Sequence, residues 1–402
     1  TDIMSLDMLP ESNYRQKMVS APDSYDKYLL LVDNGFYQQS MRNMLQLNNR
    51  GESFSEIGQY AGVSNTDWSW ATLFADLDND GFKDLYITNG VKRDYTNMDF
   101  MNYAVQQKMT ENSTGVEIAI TDLLKNIPAT IEENYTYRNN GDLTFSKVNQ
   151  DWGLNLKSLS NGAAYADLDN DGDLDLIVNN TDQEPFLLRN NSDIHTTNNY
   201  LKIDLKGQGK NTYGIGSRIE IKLDGKVLMQ EMMPTRGFQS SVDYTLVFGL
   251  GKTKTIDELK ITWPDSKVQV IRQVEAGQTL MLDQANASEP TENDVAETQP
   301  YFENITKDSL LLFTHKENNF VDFRREQLLP HKLSTQGPKI ATADVNGDGL
   351  EDVFIGGAKG SPGMLFIQTR SGHFSTPKNN DFSEDSMSED LGALFFDADN
   401  DG

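Results

Sequence analysis

The sequence predicts an all-β chain. It reads as a partial β-propeller with helical insertions, a central β-sandwich and the start of a second propeller. Three observations predict this. The string Asp-x-Asp-x-Asp-Gly-x-x-Asp occurs in full at Asp76–Asp84 and Asp167–Asp175, with one Asn at Asp344–Asp352, and in part at Asp397–Gly402. A Phe-Ser hairpin precedes three of these strings at a nearly fixed distance. Between the second and third strings lies a run of alternating apolar and polar segments.

Carboxylates at alternate positions repel one another, and a bound cation is the simplest reason to fold them together. Calcium suits such a loop because it takes six to eight oxygen ligands in a flexible geometry. In the first string Asp76, Asp78 and Asp80 would ligate at positions 1, 3 and 5. Gly81 would allow the sharp turn, Phe82 would offer its carbonyl, and Asp84 would close the site. The same reading assigns Asp167, Asp169, Asp171, Asp173 and Asp175; then Asp344, Asn346, Asp348, Leu350 and Asp352; then Asp397, Asp399 and Asp401. An EF-hand needs a bidentate Glu at position 12 within a following helix. Position 12 here is Ile87, Val178 and Ile355, each within a β-branched or aromatic run. The predicted element is therefore a calcium clip between two strands.

The hairpins are read at Leu47–Gly51 before Phe54, at Arg138–Gly141 before Phe145, and at Thr369–Gly372 before Phe374. From each Phe to the next first clip Asp is 22, 22 and 23 residues, which marks one repeated unit. First clip residues 344 and 397 stand 53 apart, about one blade, whereas 76 and 167 stand 91 apart, so an insertion is required. Helical spacing places it at Asn97–Lys108 and Gly115–Leu124, and a second insertion, Asp7–Asn43, carries helices near Glu11–Val19 and Asp26–Val32.

Residues 199–283 read as the sandwich. Its strands include Leu201–Leu205, Arg218–Leu223, Val227–Met232, Tyr244–Phe248, Leu259–Trp263 and Val268–Ile271, with a hairpin turn at Asp224-Gly225. Residues 1–198 then hold the first blades, 284–300 an acidic linker, and 301–402 the start of the second array. Thr1–Ser5 resembles the tail of another clip with Asp2 as its closing ligand, so the expectation is a piece of a longer protein, with any anchor outside it.

A net charge of −26 argues against nucleic acid and against anionic membrane surfaces as partners. Three or four calcium ions would leave roughly −20 to −18. The lack of cysteine excludes disulfides, thiolate catalysis and zinc–thiolate sites. No stretch is apolar enough for a membrane span. Gly249-Leu250-Gly251-Lys252-Thr253 resembles the end of a phosphate loop, but Leu246 stands where its first Gly belongs, and a turn between sandwich strands is expected instead. The four histidines form no paired metal spacing. Trp68, Trp70 and Trp152 precede clips and are expected to pack between blades rather than stack on sugars. The segment Phe313–Pro338 is locally basic, with His315, Lys316, Arg324, Arg325, His331 and Lys332, and is expected to be a solvated loop.

The Ala-Asp-Leu-Asp-Asn-Asp-Gly clips with Phe-Ser hairpins resemble FG-GAP (VCBS-type) propeller repeats. Asn211–Arg218, Phe248–Gly251 and Ile261–Asp265 resemble an ASPIC/UnbV domain. The combination resembles the cartilage acidic protein family and its bacterial surface homologues. That resemblance implies calcium-stabilised propellers, an exported location and a binding role. For bacterial relatives it also implies a lipoprotein anchor and association with outer-membrane nutrient importers of the TonB-dependent kind. It supplies no catalytic residues. The expected function is thus a non-catalytic, calcium-binding scaffold at the cell surface, facing outward. Its partners would be proteins of a cell-envelope complex or an extracellular glycan. The alternative is an accessory enzyme acting on an extracellular polysaccharide.

Overall fold

The structure, a computed structural model, describes residues 2–19, 25–37, 40–49, 51–116, 119–223, 225–289, 302–326, 329, 331–378 and 381–398. The chain divides into two compact units, Thr1–Glu292 and Asn293–Gly402. Strands are the main regular element of the first unit, and among the described residues the second holds four short strands within mostly irregular chain.

Three sheets of the first unit are built on one plan. In the second of them, Ser69–Ala75, Asp84–Asn89, Tyr135–Asn139 and Phe145–Lys147 lie in sequence order and pair antiparallel. Ser160–Ala166, Asp175–Asn180 and Phe186–Leu188 repeat the plan. Ile3–Ser5, Met44–Asn49 and Ser53–Glu56 form its first, shorter version. The second unit holds a fourth, made of Ile340–Ala343, Asp352–Ile355, Met364–Gln368 and Phe374–Ser375. The register repeats as well. Ala75 faces Asp84, Ala166 faces Asp175 and Ala343 faces Asp352, so each of these three acidic strings is the hairpin loop between two strands. Every closing Asp opens a strand, where an EF-hand would open a helix.

The insertions form helices near the expected places, although the first helix after Asn97 runs past Lys108 to Thr114 and the next begins at Ile120 rather than Gly115. Helix α1 is Asn13–Met18 and α2 is Tyr25–Asp33. Helix α3 is Met98–Thr114 and α4 is Ile120–Lys125. Asn97 caps α3 by accepting from the N–H groups of Asp99 and Phe100, and Gly115 ends it in a left-handed turn at φ 70°. The two insertions meet at Arg15 of α1. Its guanidinium donates to Asp67 Oδ2 at 3.1 Å, to Asp94 Oδ2 at 2.7 Å and to Thr130 Oγ1 at 2.8 Å. Burial alone would raise the Asp94 carboxyl. The hydroxyls of Thr96 and Thr130 and the Arg15 charge together hold it below its ordinary value.

The alternating segments form seven strands in two sheets. One orders Leu246–Gly251, Asn199–Lys206 and Gln278–Asp283; the other orders Lys226–Glu231, Arg218–Leu223, Thr255–Thr262 and Val268–Glu275. Their inward residues share one core, with Leu201, Ile203 and Phe248 from the first sheet against Ile219, Ile221, Ile256 and Ile261 from the second, and Trp263 beside them. The sandwich continues past the expected start of the linker. Gln284–Asn286 form a 3-10 turn and Ser288 bridges Val268. Residues 290–300 and Asp224 of the predicted hairpin lie outside the described residues.

A second core joins the sandwich to the blades. Val242 and Val247 pack with Leu73, Tyr86, Leu176 and Val178. Trp152 lies against this core, Trp70 packs on Phe238 at 5.0 Å, and buried Trp68 meets Tyr95 edge-on at 5.5 Å. The three tryptophans are thus packing residues in this unit.

Candidate metal centre

Each acidic loop is folded by its own carboxylates. Position 1 holds the turn: Asp76 Oδ2 accepts from Gly81 N, Asp167 Oδ2 from Gly172 N and Asp344 Oδ2 from Gly349 N, at 2.7–3.0 Å. Position 5 accepts from the N–H two residues on, Asp80 from Phe82, Asp171 from Asp173 and Asp348 from Leu350. Position 4 lies in the left-handed region, at φ 55° for Asn79, 62° for Asn170 and 74° for Gly347. Asn and Gly are the residues that tolerate this backbone. The string as written for ligands omits that requirement, although an Asn or Gly stands there in all three.

The closing Asp is a clamp on the backbone. Asp84 accepts from Leu77 N at 2.9 Å on Oδ2 and from Asn139 N at 3.0 Å on Oδ1. Asp175 accepts from Leu168 N and Asn190 N, and Asp352 from Val345 N and Gln368 N, in the same arrangement. The three are 1%, 2% and 0% exposed. Asp2 Oδ1 accepts from Asn48 N, which repeats half of the arrangement in the first sheet.

These contacts leave carboxylate oxygens facing one another. Asp76, Asp78 and Asp84 each offer an oxygen, all within 4.8 Å of one another, and so do Asp167, Asp169 and Asp171. Oxygens bound to one calcium at about 2.3–2.6 Å lie within that span. Asp167 Oδ1 is buried and accepts no hydrogen bond, and neither does Asn79 Oδ1. A cation would supply the missing partner of Asp167 Oδ1, and both trios are oxygen-only carboxylate sets that fit a hard divalent ion. Asp80 stands outside the first trio, held by Arg138, whose guanidinium reaches Asp78 Oδ2 at 2.9 Å and Asp80 Oδ2 at 3.0 Å. Arg189 repeats this on Asp169 at 2.8 Å. Both arginines immediately precede the Asn clamped by the closing Asp, a pairing readable as Arg138-Asn139 and Arg189-Asn190. In the third loop Ile367 takes that place, and Asp344, Asn346 and Asp348 remain tied to backbone N–H groups. The structure gives the carbonyls of Phe82 and Leu350 no assigned partner. Asp399 and Asp401 of the fourth string lie outside the described residues; Asp397 lies within them.

The sandwich covers both loops of the first unit. Gly251 N donates to Asn79 O at 2.9 Å, and Asn198 Nδ2 donates to Asp78 O at 2.7 Å. A Cβ on Gly249 would lie 2.0 Å from Asp76 Oδ2, so that position admits only glycine. Gly249 and Gly251 therefore sit within a strand and serve close approach to the first loop, where a turn was expected. Over the second loop the Tyr200 ring leaves no room for a Cβ on Gly172. Beside it the Lys202 ammonium bonds Asp167 Oδ2 at 2.6 Å. Lys202 gives no sequence signal, because its partner is 35 residues away and in another module.

Crowding and burial push these acids up. Asp84 is raised to about 7, chiefly by burial, against the pull of the Asn139 and Leu77 N–H groups. Asp171 is raised to about 7 by burial and the neighbouring Asp173. Asp76 is raised well above its usual range by burial, then by the charge of Asp84. Groups whose pKa rises on folding favour the folded state below the unfolded value, here 3.8, and lose that contribution as pH climbs towards 7. In chelator, the melting temperature is accordingly expected to rise as pH falls from 8 to 5.5. With calcium the trend reverses, since protons then compete with the ion. Thermal melts in both buffers check this; a chelated chain that only loses stability towards pH 5.5 contradicts it.

Comparison with known families follows this architecture. The family described as FG-GAP-like repeat matches residues 27–87 and 119–178, each match ending within the strand that follows an acidic loop. The family described as ASPIC and UnbV matches residues 207–289. The chain is an FG-GAP repeat protein with an ASPIC/UnbV domain. No curated protein matches it. FG-GAP repeats are typical of extracellular or surface proteins, and among the described residues no helix is long and apolar enough to cross a membrane. In this FG-GAP protein the covering residues Gly249 and Gly251 fall within the ASPIC/UnbV match, while Tyr200 and Lys202 come from the sandwich strand just before it.

Proposed function

We propose that this protein is a non-catalytic, calcium-binding scaffold on the outer face of the cell, an accessory subunit of an outer-membrane or extracellular assembly. The observation that carries the calcium reading is the convergence of Asp76, Asp78 and Asp84, and of Asp167, Asp169 and Asp171, in loops that also leave buried oxygens without donors. Oxygen-only donor sets with several carboxylates select hard cations, and a flexible loop offering this many oxygens suits calcium better than magnesium, which keeps several of its waters.

The assembly reading rests on the inserted helices. Met101, Val105 and Met109 stand four residues apart along α3 and are all exposed, as are Ile120 and Leu124 of α4. No residue of α3 is buried. An apolar stripe left in water on an inserted helix supports a protein partner. Such a partner on the cell envelope fits the surface location typical of FG-GAP repeats.

The test is recovery of companions. Intact protein cross-linked on its native cells and purified in calcium is expected to bring down discrete envelope proteins. Met109→Glu with Ile120→Glu is expected to reduce that recovery at least about fivefold at unchanged folding, a loss of about 1 kcal/mol in binding. Equal recovery from both proteins, or none from either, counts against the assembly role.

A further inference from the structure

The second acidic loop has a feature that the first and third lack. Position 7 is Phe82 in the first loop and Leu350 in the third, where a backbone carbonyl is all that is asked of it. In the second loop it is Asp173, and its carboxylate points inward and is 1% exposed. Asp173 Oδ2 accepts from Ser192 Oγ at 3.0 Å and from Asp193 N at 3.1 Å. Asp173 Oδ1 is buried and accepts no hydrogen bond. Asp171, Asp173 and Asp193 each offer an oxygen, all within 4.8 Å of one another.

This trio shares only Asp171 with the trio of Asp167, Asp169 and Asp171. The two groups also differ in compensation. Lys202 Nζ already stands 2.6 Å from Asp167 Oδ2 and 3.2 Å from Asn170 Oδ1, with its side chain 9% exposed. Arg189 reaches Asp169 at 2.8 Å. The nearest fixed cation to the second trio is Arg189, 3.9 Å from Asp171 Oδ2. Three carboxylates at that spacing, one of them buried with an idle oxygen, share only Arg189, which Asp169 holds more closely.

We propose that the second loop holds two hard divalent cations: one on Asp167, Asp169 and Asp171, and another on Asp171, Asp173 and Asp193, with Asp171 bridging them. The second ion makes Asp193, which lies outside the repeated string, a metal ligand. Exposed Asp193 leaves one side of that ion to water, as calcium sites permit. The inference rests on the clip reading of Asp167–Asp175 and extends it.

The experiment titrates the full chain with calcium by calorimetry and with terbium by luminescence, which the ring of Tyr200 against Gly172 is placed to sensitise. Asp193→Asn keeps the main-chain N–H that Asp173 needs. It is expected to weaken one ion at least tenfold and leave the others unchanged. Asp193→Ala should do the same, and circular dichroism of both variants should match the parent. Asp169→Asn is expected to weaken a different ion. If Asp193→Asn and Asp193→Ala titrate like the parent while Asp169→Asn does not, the second ion is refuted and the clip reading stands. If Asp169→Asn is also without effect, both fall.

Discussion

Chelation with EDTA is expected to lower the melting temperature of the first unit on the order of 10 °C, and millimolar calcium to restore it. The size follows from linkage. An ion present at a hundred times its dissociation constant stabilises the folded state by about 2.7 kcal/mol, and this unit holds two clips. Each kcal/mol moves the melting point of a large domain by roughly 2–4 °C. The direction follows from the geometry. With no cation, Asp76, Asp78 and Asp84 crowd within 4.8 Å, and burial raises the energy of their charged forms. A melting curve unchanged by EDTA would show that backbone N–H groups, Arg138 and Arg189 alone are enough to hold these loops, and the calcium reading would be lost.

Asp84→Ala is expected to destabilise the first unit by about 2–6 kcal/mol, and to do so in EDTA as well as in calcium. Two N–H groups, those of buried Leu77 and half-buried Asn139, lose their acceptor, and each such loss costs up to about 1–3 kcal/mol. Asp78→Ala is the contrast. Asp78 accepts from Asp80 N within its own loop and faces Arg138 at the surface, so its loss is expected to matter only when calcium is present. Denaturant unfolding of both variants in both buffers separates the roles. A closing Asp whose removal is harmless in EDTA would be a ligand alone, and the clamp would be wrong.

The sequence made legible whatever is local. Alternating Asp residues, a Gly at position 6 and a β-branched run afterwards specify a loop between two strands, and the structure places strands on both sides of each loop. Period-two alternation gave the sandwich strands, and the capped run after Asn97 gave α3. What pairs across modules was not legible. Gly249 reads as a turn residue because nothing near it in sequence reveals that Asp76 lies against it. Lys202 reads as one polar residue in an alternating strand, and Arg15 as one charge on a short helix. Their meaning comes from Asp167, Asp94 and Thr130, which only the tertiary fold brings to them. Asp193 was missed because it stands 18 residues after the string it joins.

The glycine-for-contact arrangement at Gly249 constrains how this protein can be dissected. A boundary drawn near residue 199 looks natural on strand pattern, yet it would strip the roof from two acidic loops and leave Gly251 and Lys202 without their acceptors on the repeats. Grafting a foreign sandwich in its place would require a strand equally bare of side chains where it crosses the first loop, and an amine where it crosses the second. The two modules are best handled as a single piece, whatever their separate family descriptions suggest.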